Sequence, residues 1–175
     1  MNAMSPENAV FLLHEVYIPT LQRESQITKG VLAAVPADKS SYRPDSVSKS
    51  ANDLLRHIAA SDVRFLDAVN NGQFSAAAVI PDAAKSPEEV VAWYEKRHAE
   101  SVQQLLKLSG EQLTKPVDFR GMFQLPAVMF LAMGLHHTIH HRGQLSAYLR
   151  SMGAKVPSIY GESYDSEQAR KSARA

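Results

Sequence analysis

No cysteine occurs in the 175 residues, which excludes a disulfide scaffold, a zinc ribbon, an iron–sulfur cluster and a cysteine nucleophile. Any metal held by this chain must be bound by imidazole or oxygen. An excess of charge of one sign is also lacking: 19 Lys+Arg stand against 18 Asp+Glu, a formal net charge of +1. That balance gives no electrostatic reason to expect nucleic acid or an acidic membrane as the partner, so a small molecule is expected instead. Long hydrophobic runs are missing too. The longest, Leu125 to Leu135, is about half of the roughly 20 residues that cross a bilayer, and it runs straight into His136 and His137. Met1 to Val10 has neither a basic start nor an extended apolar stretch, so no secretory signal is expected and the cytoplasm is the expected compartment. Strand-type alternation is scarce, and no repeat at solenoid periods is visible.

What is present is apolar content, 45% of the chain, in a length that suits one domain with a core of its own. Helix punctuation divides it. Ser5-Pro6-Glu7 and Ser86-Pro87-Glu88-Glu89 each offer a hydroxyl N-cap, a proline at the first helical position and acid in the first turn. Ser50 with Asp53 resembles a capping box. A further helix is expected from Pro126 to just before Gly153, a left-handed cap. The elements expected are 6–34, 50–70, 87–108 and 125–151, with a kink at Pro19, which lacks a backbone donor. Loops are expected after Gly72 and from Pro116 to Gly121. The polar segment from Gly161 to Ala175 is expected to be mobile. Four long helices joined by loops predict an all-α fold, an antiparallel four-helix bundle.

Of the seven histidines, four fall inside His136-His137-Thr138-Ile139-His140-His141. The pairs 137/141 and 136/140 each stand one helical turn apart, the spacing at which two imidazoles can bind one ion. On a helical wheel His137, His141, Gln144, Tyr148 and Phe130 share a sector of roughly 60°, and His136 and His140 lie on its flank. The 137/141 pair therefore shares a face with aromatic residues of buried type. Spacing and face suit a metal site and two core histidines satisfied by carbonyls or water equally well. Two imidazoles do not complete a site, so a third ligand must come from another helix: His14, His57, His98 or a carboxylate. His57 borders the apolar face Leu54, Leu55, Ile58, Phe65, Leu66 and Val69. Asp62 falls near the middle of that face, where a carboxylate would orient a ligand imidazole or pair with a buried base. His98 continues the stripe Val91, Tyr94, Val102 and Leu105. Arg142 points away from the 137/141 face and reads as a structural ion pair or carbonyl clamp. Gly143 reads as a point of close helix packing. Gln144 suits a hydrogen bond to a ligand and an ordinary helix contact equally.

Three stretches together resemble the DinB/YfiT-like family of metalloenzymes. They are Tyr42-Arg43-Pro44 followed by Asn52-Asp53-Leu54-Leu55-Arg56-His57; His137-Thr138-Ile139-His140-His141-Arg142-Gly143-Gln144-Leu145, which matches the signature H-x-x-x-H-R-G-Q-L; and Tyr148-Leu149-Arg150 continuing to Gly153, Pro157 and Gly161. The resemblance spans most of residues 5–161. It implies a bundle domain over 1–161 with a polar tail over 162–175, and a homodimer. It implies that His57, His137 and His141 ligate a divalent metal ion, nickel or zinc ahead of iron or manganese. Relatives of this kind include metal-dependent thiol transferases and mycothiol-dependent isomerases. The expected function is thus a metal-dependent transferase or hydrolase acting on a small molecule, a low-molecular-weight thiol among the candidates. The alternative is a helical-bundle protein that binds metal or ligand without catalysis.

Overall fold

A computed structural model describes residues 4–74 and 80–174. Its first helical stretch has three parts: α1 (Pro6–Phe11), a π-helical stretch (Leu12–Tyr17) and α2 (Ile18–Ala33). The discontinuity expected at Pro19 takes this form. Proline has no N–H to offer and its ring crowds the preceding turn. The helix loosens just before it, so that the Ile18 amide donates to the Leu13 carbonyl, one residue further back than in an α-helix.

Capping boxes Ser50/Asp53 and Ser86/Glu89 start α3 (Ala51–Asn71) and α4 (Pro87–Leu105), and Gly72 ends α3 at φ 65°. After α4 the chain departs from the expected helix to residue 108. It turns, and a short α5 (Gly110–Thr114) begins at Ser109.

The all-α expectation fails between residues 116 and 126. Here β1 (Pro116–Phe119) and β2 (Phe123–Pro126) form an antiparallel hairpin with Val117 opposite Leu125 and Phe119 opposite Phe123. Arg120 and Gly121 both take positive φ, 57° and 71°, and the Met122 amide donates to the Phe119 carbonyl at 3.0 Å. Two left-handed residues in succession give a turn whose twist suits a hairpin. The fourth long helix consequently starts later than expected, as α6 (Met129–Ser151), because Leu125 and Pro126 belong to β2. Gly153 lies just beyond its end at φ 70°, as its sequence position suggests. The polar tail carries α7 (Tyr164–Ser172), started by Ser163 and tied to α6 by an Arg150–Asp165 ion pair at 2.7 Å.

Helix α3 packs on α4 and α6, and α2 packs on the same two. The buried apolar residues form two clusters. One gathers Leu32, Leu54, Ile58, Tyr94, Leu145 and Leu149; the other gathers Leu21, Phe65, Leu66, Leu105, Phe130 and Leu131. On every long helix the change from one cluster to the other falls beside buried polar residues: Glu24 and Thr28 on α2, Asp62 on α3, His98 on α4, Thr138 and Arg142 on α6. A transverse polar layer thus crosses the interior at mid-height. No helix among the described residues is long and apolar enough to cross a membrane.

Candidate metal centre

The predicted ligands converge on one side of this layer. His57 comes from α3, one residue before the fully buried Ile58, and His137 and His141 come from successive turns of α6. Each ring offers one nitrogen, and these three atoms lie within 4.8 Å of one another. Ring centroids stand 4.5–4.9 Å apart, all at steep angles, so the imidazoles meet edge to face around a common point. All three are half-buried.

Neighbours orient two of the rings. His141 Nδ1 lies 3.1 Å from Gln144 Oε1, a contact that suits the tautomer in which Nδ1 donates and Nε2 is left to ligate. Gln144 thereby takes a supporting part at the site, and its amide nitrogen reaches Tyr148 at 3.5 Å. His57 Nδ1 lies 3.4 Å from Ser61 Oγ, one turn along α3. His137 differs: its Nδ1 is buried with no hydrogen-bond partner among the described residues. A buried polar atom without a partner is costly. Burial together with the nearby His141 and His57 rings pushes His137 down to about 4. Burial, then His141 and Lys49, also lowers His57. Three imidazole nitrogens gathered within 4.8 Å of one another suit a divalent cation, and ligation would compensate their burial. The donor set fits such an ion.

The remaining histidines are not part of the cluster. His14, His136 and His140 are exposed, and the His140 ring meets His141 edge to face with centroids 4.9 Å apart. His98, 4% exposed, faces inward, with Nε2 3.8 Å from Asp62 Oδ2. Asp62, also 4% exposed, takes the second of its two expected roles, beside a buried base rather than behind a ligand ring. It accepts hydrogen bonds from Tyr94 at 2.7 Å and Thr138 at 3.1 Å. Arg142 is the structural ion pair its position suggests. It is 1% exposed, meets Glu24 at 2.7 Å, and donates to Thr28 and to the Tyr160 hydroxyl. Gly143 requires correction. A Cβ there would meet nothing within 4 Å, whereas at Gly134 it would lie 2.7 Å from the Phe65 Cβ. The close helix contact belongs to Gly134, one turn before His137.

A cleft of about 440 Å³ opens beside the histidines. His57, Ser61 and His137 form its polar wall, and Phe65, Phe74 and Phe119 form an aromatic one. Arg64 and Arg120 also line it. The segments on either side contribute, Phe74 from after α3 and Phe119 and Arg120 from the hairpin; residues 75–79 lie outside the described residues. Sequence reasoning missed Arg64, Phe74, Phe119 and Arg120 as cleft residues. The available signal was Phe119-Arg120-Gly121, an aromatic and a cation next to a turn glycine, legible only once the hairpin is recognised.

The protein YjoA of Bacillus subtilis (strain 168) is 28% identical over 130 residues, covering 73% of this chain and 82% of that protein. The crystal structure of this DinB-like protein superposes with a TM-score of 0.67 at 23% identity, over 84% of this chain and 99% of that one. A DinB-like protein from Bacillus cereus ATCC 10987 superposes with a TM-score of 0.71 at 22% identity, over 84% and 97% of the two chains. Those structural likenesses establish the shared fold. Residues 4–172 match the DinB family, nearly the whole length on which the histidines, the hairpin and the helices are arranged, and the chain belongs to that family.

Proposed function

We propose that this protein is a metal-dependent enzyme acting on a small molecule, with His57, His137 and His141 holding a divalent cation. The observation that carries the reading is the convergence of three imidazole nitrogens within 4.8 Å beside an open cleft. Nickel or zinc suits three imidazoles best, with iron or manganese next. Such an ion supplies Lewis acidity, lowering the pKa of a bound water or thiol into the physiological range. The chain does the rest. Gln144 favours the ligating tautomer of His141, Ser61 supports His57, and the phenylalanine wall excludes water from one side of the reacting group. A thiol entering the cleft gives a transferase and a water gives a hydrolase; a low-molecular-weight thiol is the proposed co-substrate. The four long helices act in this reading as one antiparallel bundle, and the protein works as a cytoplasmic homodimer.

One observation favours the non-catalytic reading: no carboxylate, lysine or tyrosine is among the described residues lining the cleft, so acid–base groups beyond the imidazoles are lacking there. Metal analysis of untagged protein, followed by a thiol panel with a generic electrophile, separates the two. About one ion per chain is expected in the wild type and almost none in His141→Ala. Equal, negligible metal in both would sink the metal site. Bound metal without metal-dependent conjugation or hydrolysis would leave a binding protein.

A further inference from the structure

Asp62 is buried beside the histidine cluster, yet its side-chain partners among the described residues are Tyr94, Thr138 and His98, none of them a ligand. Its two oxygens face different helices. Oδ2 accepts from the Tyr94 hydroxyl of α4 at 2.7 Å, and Oδ1 accepts from the Thr138 hydroxyl of α6 at 3.1 Å. The second bond joins the two helices that carry the histidines. At its α3 end, the neighbouring Ser61 lies 3.4 Å from His57 Nδ1. At its α6 end, Thr138 directly follows His137.

The direction of the Thr138 hydroxyl is informative. A hydroxyl inside a helix commonly donates to the carbonyl one turn back, as those of Thr20, Ser146 and Ser151 do. Thr138 instead donates across to α3. Contacts between the two helices form a ladder in which Phe65 lies against Gly134, Asp62 bonds Thr138, and the His57 ring meets His141. The bare Cα of Gly134 permits a close approach, and the hydrogen bond one turn further on gives that approach a length and a direction. Stability alone does not call for a carboxylate at this point, since a buried one gains little over an apolar side chain.

We propose that Asp62 is a positioning residue for the metal centre: by accepting the Thr138 hydrogen bond it fixes α6 against α3 and so sets His57 opposite His137 and His141. This role rests on the three histidines binding a metal ion, and it acts through Thr138 rather than by contact with a ligand ring.

The test removes the two donors from the same carboxylate one at a time. Thr138→Val deletes the bond to α6, with Thr138→Ala as a second deletion, and Tyr94→Phe deletes the bond to α4, which carries no ligand. Each deprives one buried oxygen of its donor and keeps the Asp62 charge, so a merely structural Asp62 predicts equal consequences at the histidines. Zinc affinity is measured by competition with a chromophoric chelator. Visible absorption of the cobalt(II)-loaded protein reports ligand geometry, and the melting temperature of the metal-free protein reports the fold. Thr138→Val and Thr138→Ala are expected to weaken zinc binding about tenfold or more and to alter the cobalt spectrum. Tyr94→Phe keeps the wild-type affinity and spectrum, although it too lowers the melting temperature. Thr138→Ser, which retains the donor, binds zinc as the wild type does. Asp62→Asn, which leaves an amide oxygen for Thr138 to donate to, binds zinc more tightly than Thr138→Val. The proposal is overturned if the donor deletions at Thr138 keep the wild-type affinity and spectrum, or if Tyr94→Phe changes them as much. It is also overturned if Thr138→Ser behaves as Thr138→Val does, or if Asp62→Asn binds zinc no better than Thr138→Val. Negligible zinc binding by the wild type would overturn the metal centre and this role with it, an outcome distinct from a wild type and a Thr138→Val that bind zinc equally well.

Discussion

Arg142 is the largest side chain that folding buries completely, and its partner Glu24 is 118 residues away in sequence. Glu24 Oε2 receives Arg142 at 2.7 Å and the Tyr160 hydroxyl at 2.9 Å, and Oε1 lies 3.6 Å from the Arg23 guanidinium. Such a pair gains little over an apolar replacement, but removing one member strands the other in the interior. Arg142→Met should therefore cost about 3–5 kcal/mol in urea unfolding. The double variant Arg142→Met/Glu24→Leu should recover a large part of that loss. Failure of the double variant to recover would mean that Thr28 and Tyr160 carry more of the network than the ion pair does. Arginine directed away from the histidine face was legible from the helical wheel. Glu24 was not, because nothing local to α2 marks one glutamate as buried. Its partner is fixed only when α6 lies against α2. The same limit applied to Asp62. An acid in the middle of an apolar stripe signalled a buried partner, but Tyr94, Thr138 and His98 come from two other helices.

Helices are held in register by features of very different legibility. Caps are local chemistry, so Ser50/Asp53, Ser86/Glu89 and Gly153 marked their boundaries within a few residues. The hairpin was illegible for a physical reason. Leu125 to Leu135 is one unbroken apolar run, and period alone does not divide it into a strand end and a helix start. Its turn uses Arg120 where asparagine or aspartate would have advertised the bend. Close packing is equally silent, since Gly134 and Gly143 both stand on α6 and only the crossing partner distinguishes them. Two alanine substitutions make the difference measurable. Gly134→Ala drives a Cβ to 2.7 Å from the Phe65 Cβ, backbone-proximal atoms that cannot swing aside. It should destabilise by about 1–3 kcal/mol, as overpacking does. Because α6 must move away from α3 and carries His137 with it, metal affinity should fall even in the folded protein. Gly143→Ala meets open space and should raise stability by about 0.5–1 kcal/mol through the lower entropy of its unfolded chain, with metal binding unchanged. Thermal unfolding with and without added zinc reads both effects. Equal behaviour of the two variants would contradict the packing assigned to Gly134.

The whole molecule responds to acid and to metal through the same interior groups. His137 at about 4, with His57 and His98 also lowered chiefly by burial, binds protons less readily folded than unfolded. The unfolded chain takes up these protons first as pH falls through about 6.5, the ordinary histidine value. Stability of the metal-free protein is then fully present above that pH and declines toward about 4, where His137 itself becomes protonated in the folded state. Each histidine adds at most about 1.4 kcal/mol per pH unit to the slope, and less at the half-exposed His57 and His137, where solvent screens the charge. Metal acts in the opposite direction on the same nitrogens, since an ion binds only the neutral rings. At a hundredfold excess over its dissociation constant it should add about 2.7 kcal/mol. That gain should shrink on acidification across the window in which the free protein weakens. A melting-temperature increase with zinc at pH 7.5, nearly lost at pH 5 and absent from His141→Ala at both, is the expected pattern. A zinc-dependent increase in His141→Ala as large as in the wild type would place the ion away from the three histidines. Ligands drawn from both α3 and α6 make the effect global, because an ion bridging them resists separation of the two helices that share the most extensive contact in the fold.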